Sequence, residues 1–231
     1  MATVVAVPDL HCPFQHPDAL RFTSAVLDRV APDRIVMLGD EIDSHAVSNW
    51  PKSPEADGAN RELLLAKKQL VRWYNLIRKA DVCKSNHTFR AARLASTAGI
   101  PSLFMKEIAE VLDAPPGWKW HDSIDIDGVN YSHGHKVSCV PTTAMRQLGS
   151  SFVVGHIHHP ERIINWHISR KSAMFGMYAG CLIDEEAYAF AYHQSYKPAT
   201  LGIGVIVDGH PWYVRMNLKA NGKWDRKLRM P

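Results

Sequence analysis

The chain has 231 residues, of which 46% are hydrophobic and 22% are charged, and its formal net charge at pH 7 is +4. This is the composition of a globular protein with enough chain for one sizeable core. No apolar stretch approaches the roughly 20 residues that cross a bilayer, and the first residues lack the basic flank of a signal peptide, so no membrane partner is expected. We expect a cytoplasmic protein with one domain over residues 1–218 and a loosely held basic tail over residues 219–231.

The cysteine and histidine counts point to different chemistries. Cys12, Cys83, Cys139 and Cys181 lie far apart and form no CxxC pair, so neither a disulfide framework nor a zinc ribbon is expected. Reduced thiols fit a cytosolic protein. The positive net charge mildly favours anionic partners. The more unusual count is 13 histidines, several of which cluster in short motifs.

Short apolar runs and amphipathic segments alternate in the first part of the chain. Strands are predicted from Val4 to Val7, from Ile35 to Leu38 and from Ala80 to Cys83, because each run is short and apolar. Helices are predicted from Pro17 to Val30 and from Asn60 to Lys79, because their apolar residues share one face. This part of the chain therefore indicates an α/β fold.

The second part of the chain is predicted to be richer in strands. An amphipathic helix is expected from Ile100 to Leu112, and a short helix from Pro141 to Leu148 that stops at Gly149. A β-hairpin is predicted from Ser123 to Ser132 around Asp127-Gly128, a pair typical of tight turns. Further strands are predicted from Ser151 to Val154, Ala173 to Tyr178, Ile203 to Val207 and Trp212 to Leu218.

Polar motifs follow five of the short apolar strands. Asp9-Leu10-His11, Gly39 to Asp43 and Asn86-His87 each have an ordinary structural explanation when taken alone, such as a turn or a helix cap, but His156 and His158 on one strand-end loop need a reason. The joint occurrence of all the motifs favours a functional site. In open α/β sheets ligands bind outside the carboxyl ends of the strands, so side chains distant in sequence can converge there. The motifs are Asp9-Leu10-His11, Gly39 to Asp43, Ser85-Asn86-His87, His133-Gly134-His135 and Gly155 to His158.

The set of motifs, in this order, resembles that of the calcineurin-like metallophosphoesterases over residues 9 to 158. The resemblance implies a four-layer α/β/β/α sandwich with two mixed central sheets. It also implies a dinuclear metal site at the carboxyl ends of the strands. The implied metal ligands are Asp9, His11, Asp40, Asn86, His133, His156 and His158.

The resemblance divides these ligands between two ions. Asp9, His11 and His158 would hold the first ion, Asp40 would bridge both, and the remaining three residues would hold the second. Two divalent ions about 3.5–4 Å apart clamp a phosphoryl group and lower the pKa of a water, so that a metal-bridging hydroxide can attack phosphorus. Mixed nitrogen and oxygen ligands suit manganese, iron, zinc or nickel, with manganese as the leading candidate.

Other residues of the motifs have roles around the ions. The resemblance implies that His87 is catalytic, facing the substrate and protonating the leaving oxygen, a role that suits an imidazole. Asp43 would anchor the free N–H of a metal-bound histidine. Arg90 and His135 are candidates for phosphate contact, against the alternatives of a solvated loop charge and an ordinary loop histidine.

The third motif departs from the family pattern. Ser85 and Thr88 stand where the family usually has a glycine and an acidic residue, which leaves the tuning of His87 open. In the second motif, Ser44-His45 stands where the protein phosphatases have an arginine. That difference lowers the expectation of a phosphoprotein substrate.

The expected function is dinuclear-metal-dependent hydrolysis of phosphate esters, leaning to phosphodiesters of nucleotides or nucleic acid. Many lysines and arginines between Arg61 and Arg93 favour a phosphodiester substrate such as nucleic acid, although the solvated face of a helix explains them as well. Trp118 and Trp120 offer stacking surfaces for bases, against the alternative of burial in the core. The alternatives are a phosphomonoesterase or phosphoprotein phosphatase, a metal-binding scaffold without catalysis, and a nucleic-acid-binding module without hydrolysis. The sequence does not indicate the oligomeric state.

Overall fold

The computed structural model describes residues 1–158, 162–169, 172–192 and 199–230. Its helices are α1 Ala19–Val30, α2 Ala59–Leu76, α3 Arg90–Thr97, α4 Ile108–Val111, α5 Pro141–Leu148 and α6 Glu185–Tyr192, with short 3-10 turns at His45–Val47 and Ser102–Phe104. Its strands are β1 Val4–Val7, β2 Arg34–Met37, β3 Ala80–Cys83, β4 Trp118–His121, β5 Ile124–Ile126, β6 Val129–Ser132, β7 Ser151–Val154, β8 Arg162–Ser169, β9 Ser172–Tyr178, β10 Gly202–Val207 and β11 His210–Arg215. Within these ranges, no helix is both long and apolar enough to cross a membrane.

The described strands form two mixed sheets. The first has the order β11-β10-β1-β2-β3-β4, and the second has the order β5-β6-β7-β9-β8. Strands β1 to β4 are parallel, as are β6, β7 and β9, and antiparallel strands flank both sets. Because parallel strands end on the same side of a sheet, the loops that follow them meet at one edge.

The two sheets pack face to face through a shared apolar core. Successive residues of a strand point to opposite faces, so Val4 and Ala6 of β1 pack against the second sheet while Val5 and Val7 pack toward the helices. Tyr131 of β6 is fully buried in the shared core. The all-apolar sequence of β1 follows from this position, since both of its faces are covered.

Helices cover the outer face of each sheet. Phe22 of α1 and Trp73 of α2 pack in the core on the outer side of the first sheet. Met145 of α5 packs against Phe152 of β7 on the outer side of the second sheet. These layers confirm the predicted α/β/β/α sandwich with two mixed sheets.

The predicted helix from Ile100 to Leu112 is wrong. Gly99 takes a φ of 76° after α3 ends, and a 3-10 turn follows Pro101 before the short helix α4 begins at Ile108. Leu103 and Phe104, which the pattern assigns to a buried face, are 90% and 76% exposed. Apolar periodicity supports a helix where a packed layer covers the apolar face, and these side chains face solvent instead.

The basic tail is anchored at Trp224, which contradicts the expectation of a loosely held segment. The Trp224 ring is buried and lies edge-on to Phe22 of α1, with 5.3 Å between ring centroids. Its backbone N–H donates to the carboxylate of Asp18 at 3.0 Å. Part of the tail therefore belongs to the packed structure, while the domain limit at residue 218 stays a prediction.

Candidate metal centre

Backbone hydrogen bonds tie the loop after β1 to the loop after β2. The N–H groups of Leu10 and His11 donate to the carbonyl oxygen of Asp40 at 3.1 and 2.8 Å. His11 and Asp40 each have a φ of 48°, a left-handed conformation that residues other than glycine rarely adopt. Such strain persists where the surrounding structure enforces it, commonly at functional sites. Here it accompanies two side chains that meet, with Nε2 of His11 3.5 Å from Oδ2 of Asp40.

Three buried side chains form what we call the inner group: Asp9, His11 and His158. Their candidate ligand atoms lie within 4.8 Å of one another. Nε2 of His158 lies 3.0 Å from Oδ2 of Asp9, and Nε2 of His11 lies 3.9 Å from the same oxygen. The position of Asp9 depends on Gly155, because a Cβ there would stand 2.2 Å from Oδ1 of Asp9. The structure thus brings together the side chains predicted for the first ion.

Three further side chains form what we call the outer group: Asn86, His133 and His156. His133 is buried, Asn86 is half-buried and His156 is exposed. Nε2 of His133 lies 2.6 Å from Oδ1 of Asn86, and the ring centroids of His133 and His156 are 5.1 Å apart. The backbone N–H of His156 donates to Oδ2 of Asp9 at 2.8 Å, which ties this group to the inner one.

The carboxylate of Asp40 lies between the two groups. Its Oδ2 is 3.5 Å from Nε2 of His11 and 3.2 Å from Nε2 of His133. Burial alone would raise the pKa of Asp40, but His133 and His87 hold that pKa well below its ordinary value. An ionised carboxylate between two sets of imidazoles is the arrangement that a shared metal ligand requires.

The polar atoms of the site face one another in a way that divalent cations would satisfy. Nδ1 of His11 lies 2.6 Å from Oδ1 of Asp43, and Nδ1 of His133 lies 2.9 Å from the carbonyl oxygen of Leu38. Anchoring one ring nitrogen directs the other toward a metal. Among the residues that the structure describes, Oδ1 of Asp9 and Nε2 of His11 are buried without a hydrogen-bond partner, an unfavourable state unless something completes it. This donor set of imidazole, carboxylate and amide fits divalent transition metals.

The histidines of the outer group differ in protonation. Burial alone would lower the pKa of His133, but Asp40 and Asp9 raise it to about 9. Burial and the neighbouring His133 lower the pKa of His156 to about 4. At neutral pH His133 therefore carries a proton that a metal ion must displace, whereas His156 is already neutral.

His87 lies beside the centre and is bound to both aspartates of the second motif. Its backbone N–H donates to Oδ1 of Asp40 at 2.9 Å, and its Nδ1 lies 2.9 Å from Oδ1 and from the carbonyl oxygen of Asp43. Burial alone would lower the pKa of His87, but Asp40 and Asp43 raise it. A ring nitrogen of His87 also lies within 4.8 Å of the ligand atoms of His11 and Asp40. The charged imidazole is therefore favoured next to the space between the groups.

Arg90 is buried and its guanidinium is engaged by the protein. It donates to the carbonyl oxygens of Asp43 and Ser44 at 3.1 and 2.9 Å, and its Nη2 lies 3.0 Å from Nδ1 of His87. Arg90 is thus not a solvated loop charge; it holds the loop after β2 against the start of α3. Direct contact with a phosphate stays a prediction.

The two departures in the third motif have polar partners that the sequence did not reveal. Oγ of Ser85 accepts the backbone N–H of Asp40 at 2.8 Å. Thr88 donates through Oγ1 to Glu41, and Nε1 of Trp120 donates to the same carboxyl at 3.2 Å. Burial raises the pKa of Glu41 to about 7. Glu41 was assigned no role from the sequence, although its position as an acidic residue between Asp40 and Asp43 was visible there.

His135 is exposed and lies at the edge of the outer group. Its ring centroid is 5.5 Å from that of His133 and 6.3 Å from that of His156. Burial and the neighbouring His133 lower its pKa. It lines a cavity of about 230 Å³ next to His133. The structure therefore places it near the centre without bringing it into either group.

The fold is shared with proteins of known structure. The chain is similar to YfcE, a phosphoesterase from E. coli, with 14% sequence identity, 96% of each chain covered and a TM-score of 0.50. It is also similar to Vps29 from Chaetomium thermophilum, at 10% identity over 99% of this chain and 96% of that chain, with a TM-score of 0.49. No family model matches the sequence, and no curated protein matches it. The chain therefore shares its fold with a phosphoesterase, which is the fold that the resemblance of the motifs implies.

Proposed function

We propose that this chain is a metal-dependent hydrolase of phosphate esters. The observation that carries the proposal is the position of Asp40, whose carboxylate lies within 3.5 Å of imidazole nitrogens of both the inner and the outer group. Motifs far apart in the sequence supply these side chains, and a purely structural role does not require two clusters of donors facing one buried carboxylate. The shared fold of a phosphoesterase supports the same conclusion.

The two groups are the proposed metal sites. Asp9, His11 and His158 would hold one divalent ion, the outer group would hold the other, and Asp40 would be shared. When bound, two such ions supply the positive charge that stabilises the phosphoryl oxygens and the acidity that activates water. The donor set leaves manganese, iron, zinc and nickel open, and manganese is the first to test.

His87 is the proposed proton donor to the leaving oxygen. The carboxylates of Asp40 and Asp43 favour its charged form, as the raised pKa indicates. Asp43 holds Nδ1, and Nε2, which lies 3.2 Å from Nη2 of Arg90, is the nitrogen that we propose transfers the proton. The nearby cation of Arg90 opposes the carboxylates, so the pKa of His87 is raised less than the carboxylates alone would raise it.

A preference for diesters over monoesters is the finer part of the proposal. The residues after Asp43 are Ser44 and His45, and His45 is buried instead of offering a charge to a second phosphate oxygen. A monoester carries one more negative charge than a diester and therefore needs more cationic contacts. The lack of an arginine at this position in the sequence therefore supports a diester substrate.

The test uses bis(nitrophenyl) phosphate and nitrophenyl phosphate with the full chain and added manganese. We expect hydrolysis of both esters, with a higher kcat/KM for the diester. The matched controls are Asp40→Asn, which should be inactive, and Asp28→Asn, an exposed residue of α1 whose replacement should change nothing. A strict monoester preference would remove the diester assignment. Metal uptake without hydrolysis of either ester would favour a non-catalytic scaffold instead.

A further inference from the structure

A cavity of about 230 Å³ adjoins the outer group, and we call it the basic pocket. Its wall includes His133, the buried histidine of the outer group, so the pocket and the proposed metal centre share a side chain. The cationic side chains Lys84, Arg93 and Lys136 also line the pocket. These cations come from the residue after β3, from α3 and from the loop after β6, so the fold brings them together from three separate parts of the chain.

The charges of the basic pocket do not cancel. Lys84 pairs with Asp122, with 3.3 Å between Nζ and Oδ2. Arg93 and Lys136 line the same pocket and are exposed, and neither has an ion-pair partner within the part of the chain that the structure describes. Two cations therefore remain to attract an anion into a space next to the metal centre.

The pocket lies beside the proposed metal centre and not within it, so a phosphate in a chain suits it better than a phosphate in an anhydride. In a nucleoside diphosphate the second phosphate is bonded directly to the first and would lie at the same centre. In a nucleic acid strand a nucleoside separates neighbouring phosphates, so the next phosphate reaches a neighbouring cavity. Phe89 also lines the pocket, and aromatic side chains stack on bases.

We propose that the basic pocket binds the phosphate next to the one that is cleaved, which makes the substrate an oligonucleotide and not an isolated diester. The proposal rests on the proposed function, because the pocket is defined by its position beside the outer group. Arg93 and Lys136 are then residues that determine specificity, acting on the affinity for substrate and not on the chemical step.

The test compares dithymidine monophosphate with the same compound carrying an added terminal phosphate. With the full chain and manganese, we expect the added phosphate to lower KM roughly tenfold, the effect of one charge-assisted contact. Arg93→Gln and Lys136→Gln should each remove most of that gain and leave kcat/KM for bis(nitrophenyl) phosphate within about twofold of wild type. Arg93→Lys should restore part of the gain, and Arg72→Gln, an exposed arginine of α2 outside the pocket, is the control.

Calorimetric binding of the same dinucleotides to the full chain in chelator, where no cleavage occurs, separates the two proposals. Arg93-dependent binding without hydrolysis of any ester would refute the proposed function and support the basic pocket. Hydrolysis with no preference for the added phosphate, or with no effect of either substitution, would overturn the pocket assignment. Tighter binding of thymidine diphosphate than of the phosphorylated dinucleotide would overturn the oligonucleotide assignment.

Discussion

The inner and outer groups contain the same kinds of side chain in different surroundings. Asp9 and His11 are 0% exposed and His158 is 6% exposed, whereas His156 reaches solvent and Asn86 is half-buried. The inner group is also secured by Asp43, which holds the far side of the His11 ring. The surrounding structure therefore holds the inner group in place, whereas the outer group is the one that solvent reaches.

The largest expected effect comes from replacing Asp40, the residue that lies between the inner and the outer group. Asp40→Asn keeps the size of the side chain but removes the charge between the two sets of imidazoles. We expect activity to fall by about a thousandfold or more and the metal content to fall with it, because both ions lose a ligand. Elemental analysis and diesterase assays measure the two effects. Full activity of this variant after metal stripping would count decisively against the mechanism.

His156→Ala tests the outer group alone. Since His156 is exposed and Asp9, His11 and His158 are untouched, we expect activity to be lost while about one ion per chain remains. The unfolding temperature of the metal-free protein should stay close to that of wild type, because little buried structure is removed. Loss of both ions would show that the two groups do not bind metal separately.

His87→Ala tests the residue that both aspartates of the second motif hold. We expect kcat to fall by roughly a hundredfold to a thousandfold with no change in metal content, because the substitution removes a proton donor and no proposed ligand. His210→Ala, an exposed histidine of β11, is the matched control. If the metal content falls as well, His87 is a ligand, a role that its distance from His11 and Asp40 also permits.

The smallest expected effect concerns Glu41, the buried acid between the two aspartates of the second motif. Burial raises its pKa to about 7 in the folded protein, above the ordinary value. Its protonated form therefore stabilises the fold at low pH, and this contribution is lost as the pH rises through about 7. In chelator, wild type relative to Glu41→Gln should lose roughly 2 kcal/mol of unfolding free energy between about pH 5 and about pH 8.

Denaturant unfolding at the two pH values measures this difference. A parallel pH dependence of wild type and Glu41→Gln would show that Glu41 is ionised in the folded protein throughout. An additional negative charge, outside the proposed ligand set, would then act on Asp40 and His133.

The convergence of the site was predictable from the sequence because its cause is topological. Each apolar run is short enough to be a strand, and parallel strands deliver their following residues to one edge. Asp9, Asp40 and His133 could therefore be assigned to one place from three separate runs. Their roles as metal ligands stay predictions, since the fold alone does not identify what binds there.

The burial of individual side chains could not be predicted from the sequence, because it depends on which layer of the fold covers each of them. Trp118 offered a stacking surface in the sequence, but its ring is buried against Tyr74, with 4.9 Å between centroids, and its Nε1 donates to Ile77. Leu103 carries an apolar side chain in a helical pattern, yet it is exposed. The burial of Arg90 and its bonds to carbonyl oxygens likewise depend on a loop from another part of the chain.

The hydrogen atom that Gly155 carries in place of a side chain has a consequence for how related sequences are recognised. A methyl group at that position would stand 2.2 Å from Oδ1 of Asp9, too close for both to remain where they are. A homologue with alanine there would retain every proposed ligand, so a comparison of the aspartates and histidines alone would not detect the difference. It would nevertheless lack room for the carboxylate of Asp9 in its present position. Whether a related sequence can form this site therefore depends on the space at residue 155 as well as on the side chains that would bind metal.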